Sequence, residues 1–313
     1  MTQAMFDPRG PAAADIAVLG WILIGVCLVV YAAVLGGLAW SLTRRRRETD
    51  DSPQTARRIT TVITSLVVLT TVILIAFVAV SASAGRGLTS PTGPGALTGD
   101  VVGYQWWWDF RYRDVTPSDV VSSPNELHIP VGVPVVLNVQ SRDVIHSFWV
   151  PNLHGKRDLI PGIVTHTWIQ ADVPGVYRGQ CAEFCGHQHS KMAFTVVAES
   201  RDEFLEWIAR QRMPASDPSD EAARRGRDVF LSTTCATCHT VRGTDAGSHV
   251  GPELTHVGSR RTIAAGTLPN TRDSFLRWVR NAQAIKPGSR MPSHQHLSTA
   301  DLEAVVRYLR SLR

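Results

Sequence analysis

The sequence predicts a multidomain membrane protein: a two-helix transmembrane hairpin, then an all-β sandwich, then an all-α domain. Three observations carry this. Two long runs near the start, Ile16–Trp40 and Ile59–Ala84, contain no charge. From Val101, short segments with apolar alternation follow one another with turn residues between them. From Glu221 the apolar spacing becomes helical to the end of the chain. The 313 residues leave room for two modest domains beyond the hairpin.

The hairpin is assigned to residues 1–90, with spans at about 16–40 and 59–84. At about 1.5 Å per residue, each run crosses a bilayer core of roughly 30 Å. A soluble core helix seldom runs so far without a polar face. A cleaved signal peptide does not fit either: the apolar stretch is too long, and Asp7, Arg9 and Asp15 precede it in place of a basic start. Cys27, behind the bulky Val26, reads as a buried apolar residue. Between the spans lies "RRRRETDDSPQTARR", with six arginines. The positive-inside rule puts this loop in the cytoplasm, so both chain ends and everything after about residue 85 face outward.

"SASAGRGLTSPTGPGALTGD" then reads as a linker. The sandwich is assigned to residues 97–200, with strands in "VVGYQWWWDFRY", "ELHIPVG", "VPVVLNVQS", "THTWIQADV" and "MAFTVVAE". Residues 201–219 hold a short amphipathic helix, "RDEFLEWIARQR", and the polar linker "MPASDPSD". Residues 220–313 are the helical domain. Its last helix has Ser298 or Thr299 as N-cap and Asp301 and Glu303 in its first turn. Net charge is +3 up to Ala96, −3 for Leu97–Met213 and +5 from Pro214 to the end. Opposite signs on the two outer domains favour their docking, weakened by salt.

The stretch "CAEFCGHQHSKM" gathers Cys181, Cys185, His189 and Met192 in one loop. Two thiolates, an imidazole and a thioether form the soft donor set that suits copper, whereas structural zinc has no use for a methionine. Two thiolates can also bridge two metals. A second imidazole is offered by His146 in "RDVIHSFWVP", since strand ends far apart in sequence meet at a sandwich rim. His187 lies off the ligand spacing, and His154 reads as a polar interface residue.

Together with "DVIHSFWVP" and "YQWWWDF", the loop resembles subunit II of haem–copper cytochrome c oxidase, over roughly the first two-thirds of the chain. The resemblance implies a cupredoxin fold carrying a binuclear CuA centre. In it Cys181 and Cys185 bridge two coppers, and His146, His189, Met192 and the backbone carbonyl of Glu183 complete the coordination. It further implies a Mg²⁺ held in part by the Glu183 carboxylate at the subunit I boundary. Trp106 is implied to lie at the surface, where electrons enter. One departure concerns proton uptake: many members of that family carry a glutamate at the cytoplasmic start of the second span, where this chain reads "QTARRITTV".

"CATCH" places Cys235, Cys238 and His239 at the spacing that attaches a haem through two thioethers and ligates its iron. Met291, in "SRMPSHQHLS", is the expected sixth ligand, ahead of its rivals Met213, His249, His256, His294 and His296; His256 reads as a wall residue. Residues 220–313 resemble a class I cytochrome c, whose Met/His ligation gives the haem a high potential.

No general acid or nucleophile for substrate chemistry is evident, and nothing points to a nucleic acid. The chain reads as the subunit through which electrons enter a haem–copper terminal oxidase in a bacterial cell membrane. Electrons would pass from cytochrome c, or a cytochrome bc-type complex, through haem c and CuA. They would reach subunit I, whose haem and CuB reduce dioxygen to water with proton pumping; subunit III is a further expected partner. The alternative is the same architecture serving a nitric oxide reductase. A copper-delivery or redox-sensing protein fits less well, because exchangeable copper needs no covalent haem. A quinol oxidase subunit lacks the Cys/His/Met set.

Overall fold

The computed structural model describes residues 3–44, 52–88, 96–113 and 120–313. Its two long helices form one compact unit. The first thirteen residues and the part of the chain after the second helix form another.

Helix α1 (Pro11–Thr43) and helix α2 (Pro53–Leu88) are each long and apolar enough to cross a membrane. Among the described residues, neither has an acidic residue in its first turn. Most of the arginine-rich connection, residues 45–51, lies outside the described residues.

In this second unit, strands β1 (Leu97–Tyr104), β2 (Trp107–Tyr112), β3 (Val121–Pro124), β4 (Glu126–Pro130) and β5 (Val135–Ser141) come first. Strands β6 (His146–Trp149), β7 (Arg157–Leu159), β8 (Thr165–Ile169), β9 (Gly175–Cys181) and β10 (Ala193–Glu199) follow. One sheet has the order β3-β2-β1-β5-β8, the other β4-β10-β9-β6-β7. Alternation places Val135, Leu137 and Val139 of β5 inside, as a half-buried strand requires. Trp108, Phe110, Phe148 and Phe194 fill the space between the sheets, with Phe148 stacked on Phe194 at 4.9 Å between ring centres. The N-terminal segment is stitched to this sandwich: Arg9 N–H donates to the Asn152 carbonyl (2.7 Å) and Asp172 N–H to that of Arg9 (2.8 Å). Gly10 is required there, because a Cβ would sit 2.0 Å from the Gln170 carbonyl oxygen.

The stretch Val101–Tyr112 reads as one strand in the sequence but folds as the β1–β2 hairpin, with Tyr104 opposite Trp107. The turn residues are Gln105 and Trp106, joined by a cis peptide. Their partners are remote: Asp143 accepts from Gln105 N–H (2.7 Å), and the Cys185 carbonyl accepts from Trp106 Nε1–H (2.9 Å).

Helix α3 (Arg201–Arg212) begins with a capping box between Ser200 and Glu203. It lays Phe204 and Trp207 against the sandwich, Trp207 stacking on the His128 ring at 4.0 Å. The terminal domain contains α4 (Glu221–Ser232), the ribbon β11 (Thr262–Ile263) and β12 (Leu268–Pro269), then α5 (Arg272–Arg280), α6 (Ala282–Ile285) and α7 (Thr299–Ser311). Ser298 caps α7 by accepting from Asp301 N–H. Helices α4 and α7 cross at Gly226, whose hydrogen faces the Ala304 carbonyl. Phe230 packs edge-on to Tyr308 beside it. The turn 264–267 and the segment 285–288 of this domain lie directly on the sandwich rim.

Candidate functional site

Strands β6 and β9 are antiparallel neighbours, with Phe148 opposite Cys181. His146, two residues before Phe148, therefore projects on the same side of the rim as the loop that Cys181 opens. That loop returns to the sheet through a bond from Cys181 N–H to the Met192 carbonyl (2.9 Å), so the residues between are folded over the rim. Gly186, with φ 107°, supplies the reversal.

The side chains converge. The Cys181 and Cys185 sulfurs are 3.7 Å apart. Cys181 Sγ lies 3.8 Å from His146 Nδ1 and 3.2 Å from the Glu183 carbonyl oxygen. Cys185 Sγ lies 3.6 Å from His189 Nδ1 and 3.8 Å from Met192 Sδ. His146, Cys181 and Cys185 are buried and offer donor atoms all within 4.8 Å of one another. At ligand bonds of about 2.0–2.3 Å, such atoms can share an ion. The two thiols cannot both ionise freely. Accepting from the Cys185 thiol, with further donors behind it, pulls Cys181 well down, and that bond and thiolate push Cys185 up. A cation between the sulfurs relieves this conflict. The donors are mainly soft, so the set fits copper.

Asp143 organises the upstream side. Its carboxylate holds His146 Nε2 (2.8 Å), which leaves Nδ1 for the metal, and it also holds Gln105 N–H. Burial works against both charges. The shared hydrogen bond prevails, so His146 is shifted up and Asp143 down. Gly103 makes room for the imidazole, since a Cβ there would meet His146 Cδ2 at 2.9 Å. The Glu183 carboxylate pairs with Lys156 (2.9 Å). His187 is exposed, and His154 is buried edge-on to Trp168. Neither joins the donor set.

A second site lies in the terminal domain. Cys235, Cys238, His239 and Met291 line one cavity, walled by Phe275 and Val279 of α5 and Val305 and Leu309 of α7. His239 Nδ1 donates to the Pro252 carbonyl (2.7 Å), which fixes the tautomer and leaves Nε2 to bind. Burial lowers the pKa of this imidazole, as a neutral ligand needs. A Cβ on Gly251 would meet His239 Cε1 at 2.7 Å, so glycine there lets the ring lie flat. The thiols, imidazole and thioether around an apolar cavity fit a haem. Of the rival ligands, His294 lines the cavity with Nε2 near the Thr234 hydroxyl (3.4 Å). Met213, His249, His256 and His296 do not line it. His256 instead bonds the Met213 carbonyl (3.0 Å), which corrects its reading as a wall residue.

The far wall of the cavity belongs to the sandwich: Tyr104, Trp106, Trp107 and Asn125 line it. Trp106, implied to lie at a free surface, is only 9% exposed, because the terminal domain covers it. Gln105, Asp143 and Lys286 were not foreseen from the sequence. Gln105 and Lys286 act through partners distant in the chain, and Asp143 joins its near neighbour His146 to the distant Gln105.

Fold and sites define a membrane-anchored electron-transfer protein with a copper-type sandwich and a haem-type helical domain. Residues 97–200 match the family described as cytochrome c oxidase subunit II, periplasmic domain, and residues 223–313 match cytochrome c. Cytochrome c oxidase subunit 2 of Alkalihalophilus pseudofirmus is 36% identical over 98% of this chain and 90% of its own length. That of Bacillus sp. strain PS3 is 33% identical over 67% of this chain and 60% of its own. The solved periplasmic domain of subunit II from Bradyrhizobium japonicum is 30% identical, covers 38% of this chain and 96% of its own, and superposes with a TM-score of 0.36. The chain belongs to the cytochrome c oxidase subunit II family. It is an electron-entry component of a haem–copper oxidase, and its sandwich and helical domain imply copper and haem.

Proposed function

We propose that this subunit takes electrons from cytochrome c, or a cytochrome bc-type complex, at its terminal domain and delivers them through the sandwich to subunit I. There a haem and CuB reduce dioxygen to water with proton pumping, beside subunit III. Cys235 and Cys238 would hold haem c covalently, with His239 and Met291 as its axial ligands. Cys181 and Cys185 would bridge a binuclear CuA completed by His146, His189, Met192 and the Glu183 carbonyl. Each group, when bound, supplies a reversible one-electron store. Two sulfurs, two imidazoles, a thioether and a carbonyl exceed what one tetrahedral ion takes, which supports the two-copper reading. The Glu183 carboxylate, partly exposed beside Lys156, would assist a Mg²⁺ at the subunit I boundary. The arginines between the spans support an outer, periplasmic position for both redox domains.

One observation carries the proposed order of transfer. Trp106 lines the cavity of the terminal domain, and its indole N–H donates to the carbonyl of Cys185, a copper ligand (2.9 Å). Gln105 donates to the same oxygen (2.8 Å) and keeps it engaged. The indole therefore joins the two centres by a single hydrogen bond. Trp106→Ser in the intact oxidase is expected to leave reduction of the haem by donor prompt, while reduction of the copper lags by orders of magnitude in rapid mixing. Unchanged copper reduction in a folded, fully metallated variant would reject this role for Trp106.

A further inference from the structure

Lys286 is 3% exposed, and among the described residues no carboxylate pairs with it. Its ammonium lies among three backbone carbonyls: those of Trp106 (2.8 Å) and Lys191 (2.9 Å) on the sandwich, and that of Ala264 (3.3 Å) in its own domain. A lysine has three N–H donors and no acceptor, so these partners use all of it. A buried amine without a counter-ion is costly. Burial, and then repulsion from Lys191, pull its pKa down to about 7. A surface helix gains nothing from such a residue, so its value has to lie in what it joins.

What it joins is specific. The Trp106 carbonyl belongs to the residue bridging the two centres. The Lys191 carbonyl belongs to the peptide bond that carries Met192, in the copper loop. A reciprocal contact lies alongside: Lys191 Nζ donates to the Ile285 carbonyl (2.5 Å), one residue before Lys286. Gln188 donates to the Pro287 carbonyl (2.8 Å), and Ala193 N–H to that of Ala265 (3.1 Å). Gly266 lies so close to Ala193 that an added Cβ would stand 2.9 Å from the alanine methyl. Among the described residues, no side-chain ion pair joins the sandwich (97–200) to the terminal domain (220–313). The net charges of the two domains are opposite, but backbone carbonyls make these contacts.

We infer that Lys286 is a positioning residue: it locks the terminal domain onto the sandwich at Trp106, so that internal electron transfer takes place in a fixed, docked arrangement instead of by repeated encounter of a tethered domain. This rests on the assignment of Trp106 as the junction. In the docked form the internal step is insensitive to ionic strength and viscosity, because no diffusive approach precedes it.

The test uses the intact oxidase with Lys286→Met, which keeps the stem and removes all three donors. Haem absorbance, copper content and haem reduction by donor should be unchanged. Haem-to-copper transfer should slow at least tenfold and become sensitive to salt and viscosity. Amide hydrogen exchange gives a readout independent of turnover. Protection should fall at Ala193 and Arg261, whose N–H groups donate across the boundary to Ala265 and Glu126, and persist in the interiors of β9 and α7. Unchanged transfer kinetics together with unchanged protection at those two amides would overturn the inference. If Lys286→Met loses protection throughout the terminal domain, Lys286→Gln, which keeps a donor, decides. A partial loss confined to the same two amides supports the lock, and no change there overturns it. A lagging copper in Trp106→Ser with a silent Lys286→Met would remove the lock alone, whereas a silent Trp106→Ser would remove the junction.

Discussion

Asp143 shows how much of the copper site depends on a residue that is not a ligand. One carboxylate oxygen orients His146, and the other receives Gln105 N–H at the turn that presents Trp106. Asp143→Asn keeps the shape and removes the charge that supports the imidazole. It is expected to weaken copper binding by about 10–100-fold, the usual effect of losing a partner behind a metal ligand. Chelator competition on the full chain measures this, and unchanged retention would exclude the role. The cluster of donor side chains was legible in the sequence, because Cys181, Cys185, His189 and Met192 share one short loop and soft donors in such a loop have few other uses. Asp143 and Lys286 were not legible. Gln105 and Asp143 are 38 positions apart, and Lys286 and Trp106 are 180 apart. Only the folded chain brings such pairs together.

Among the elements, the crossing of α4 and α7 is set by one glycine. A Cβ on Gly226 would stand 1.9 Å from the Ala304 carbonyl oxygen and 2.9 Å from Tyr308 Cβ. Backbone cannot yield there as a side-chain tip can. Gly226→Ala should force the helices apart and destabilise the terminal domain by about 1–3 kcal/mol, the range for overpacking. Thermal unfolding of the full chain followed at the haem band would show it, and an unchanged midpoint would mean that the crossing relaxes freely. Helices were the most legible elements: "RDEFLEWIARQR" is α3, and the capped run from Ser298 is α7. Strands were less so. The run "GVYRGQC", which becomes β9, is not among the strands read from the sequence, and it carries two glycines. In the fold, Gly179 is a strand residue whose missing side chain is replaced by the Phe194 ring; an added Cβ would stand 2.1 Å from it. A packing requirement thus looks like a break in the pattern.

At the level of the whole molecule, the sandwich and the terminal domain share a buried polar cluster. His128 lies between Glu199 (2.8 Å) and Glu126 (3.2 Å), under Trp207 of α3. The other oxygen of Glu126 receives Arg261 N–H from the terminal domain (2.9 Å). Burial opposes charge on both partners, but the hydrogen bonds between them prevail. The His128 pKa is raised above 6.5 and that of Glu126 lowered below 4.5. A raised histidine stabilises fully below its unfolded pKa and ceases to as pH rises through the folded value. A depressed glutamate stabilises above its unfolded pKa and ceases to as pH falls through the folded one. The cluster therefore holds best between about pH 4.5 and 6.5. The unfolding midpoint of the full chain should fall on the alkaline side of that window, and His128→Gln should flatten this limb; an equal slope in both would discount the cluster. Opposite net charges suggested salt-weakened docking of a domain on a short leash, and the contacts described here alter that picture. The leash itself is sewn down: Arg242 donates to the carbonyls of Gln211 and Arg212, Ala215 N–H to that of Arg242, and His256 to that of Met213. A connector held from Gln211 to Ala215 does not set where the domain docks. Beyond those bonds its length is nearly neutral, since doubling a flexible loop adds only about 0.6 kcal/mol of closure entropy, no more than one net hydrogen bond contributes. Insertions between Pro218 and Ser219 would pass almost unnoticed by turnover, leaving this segment free to drift in length while the domains on either side stay in place.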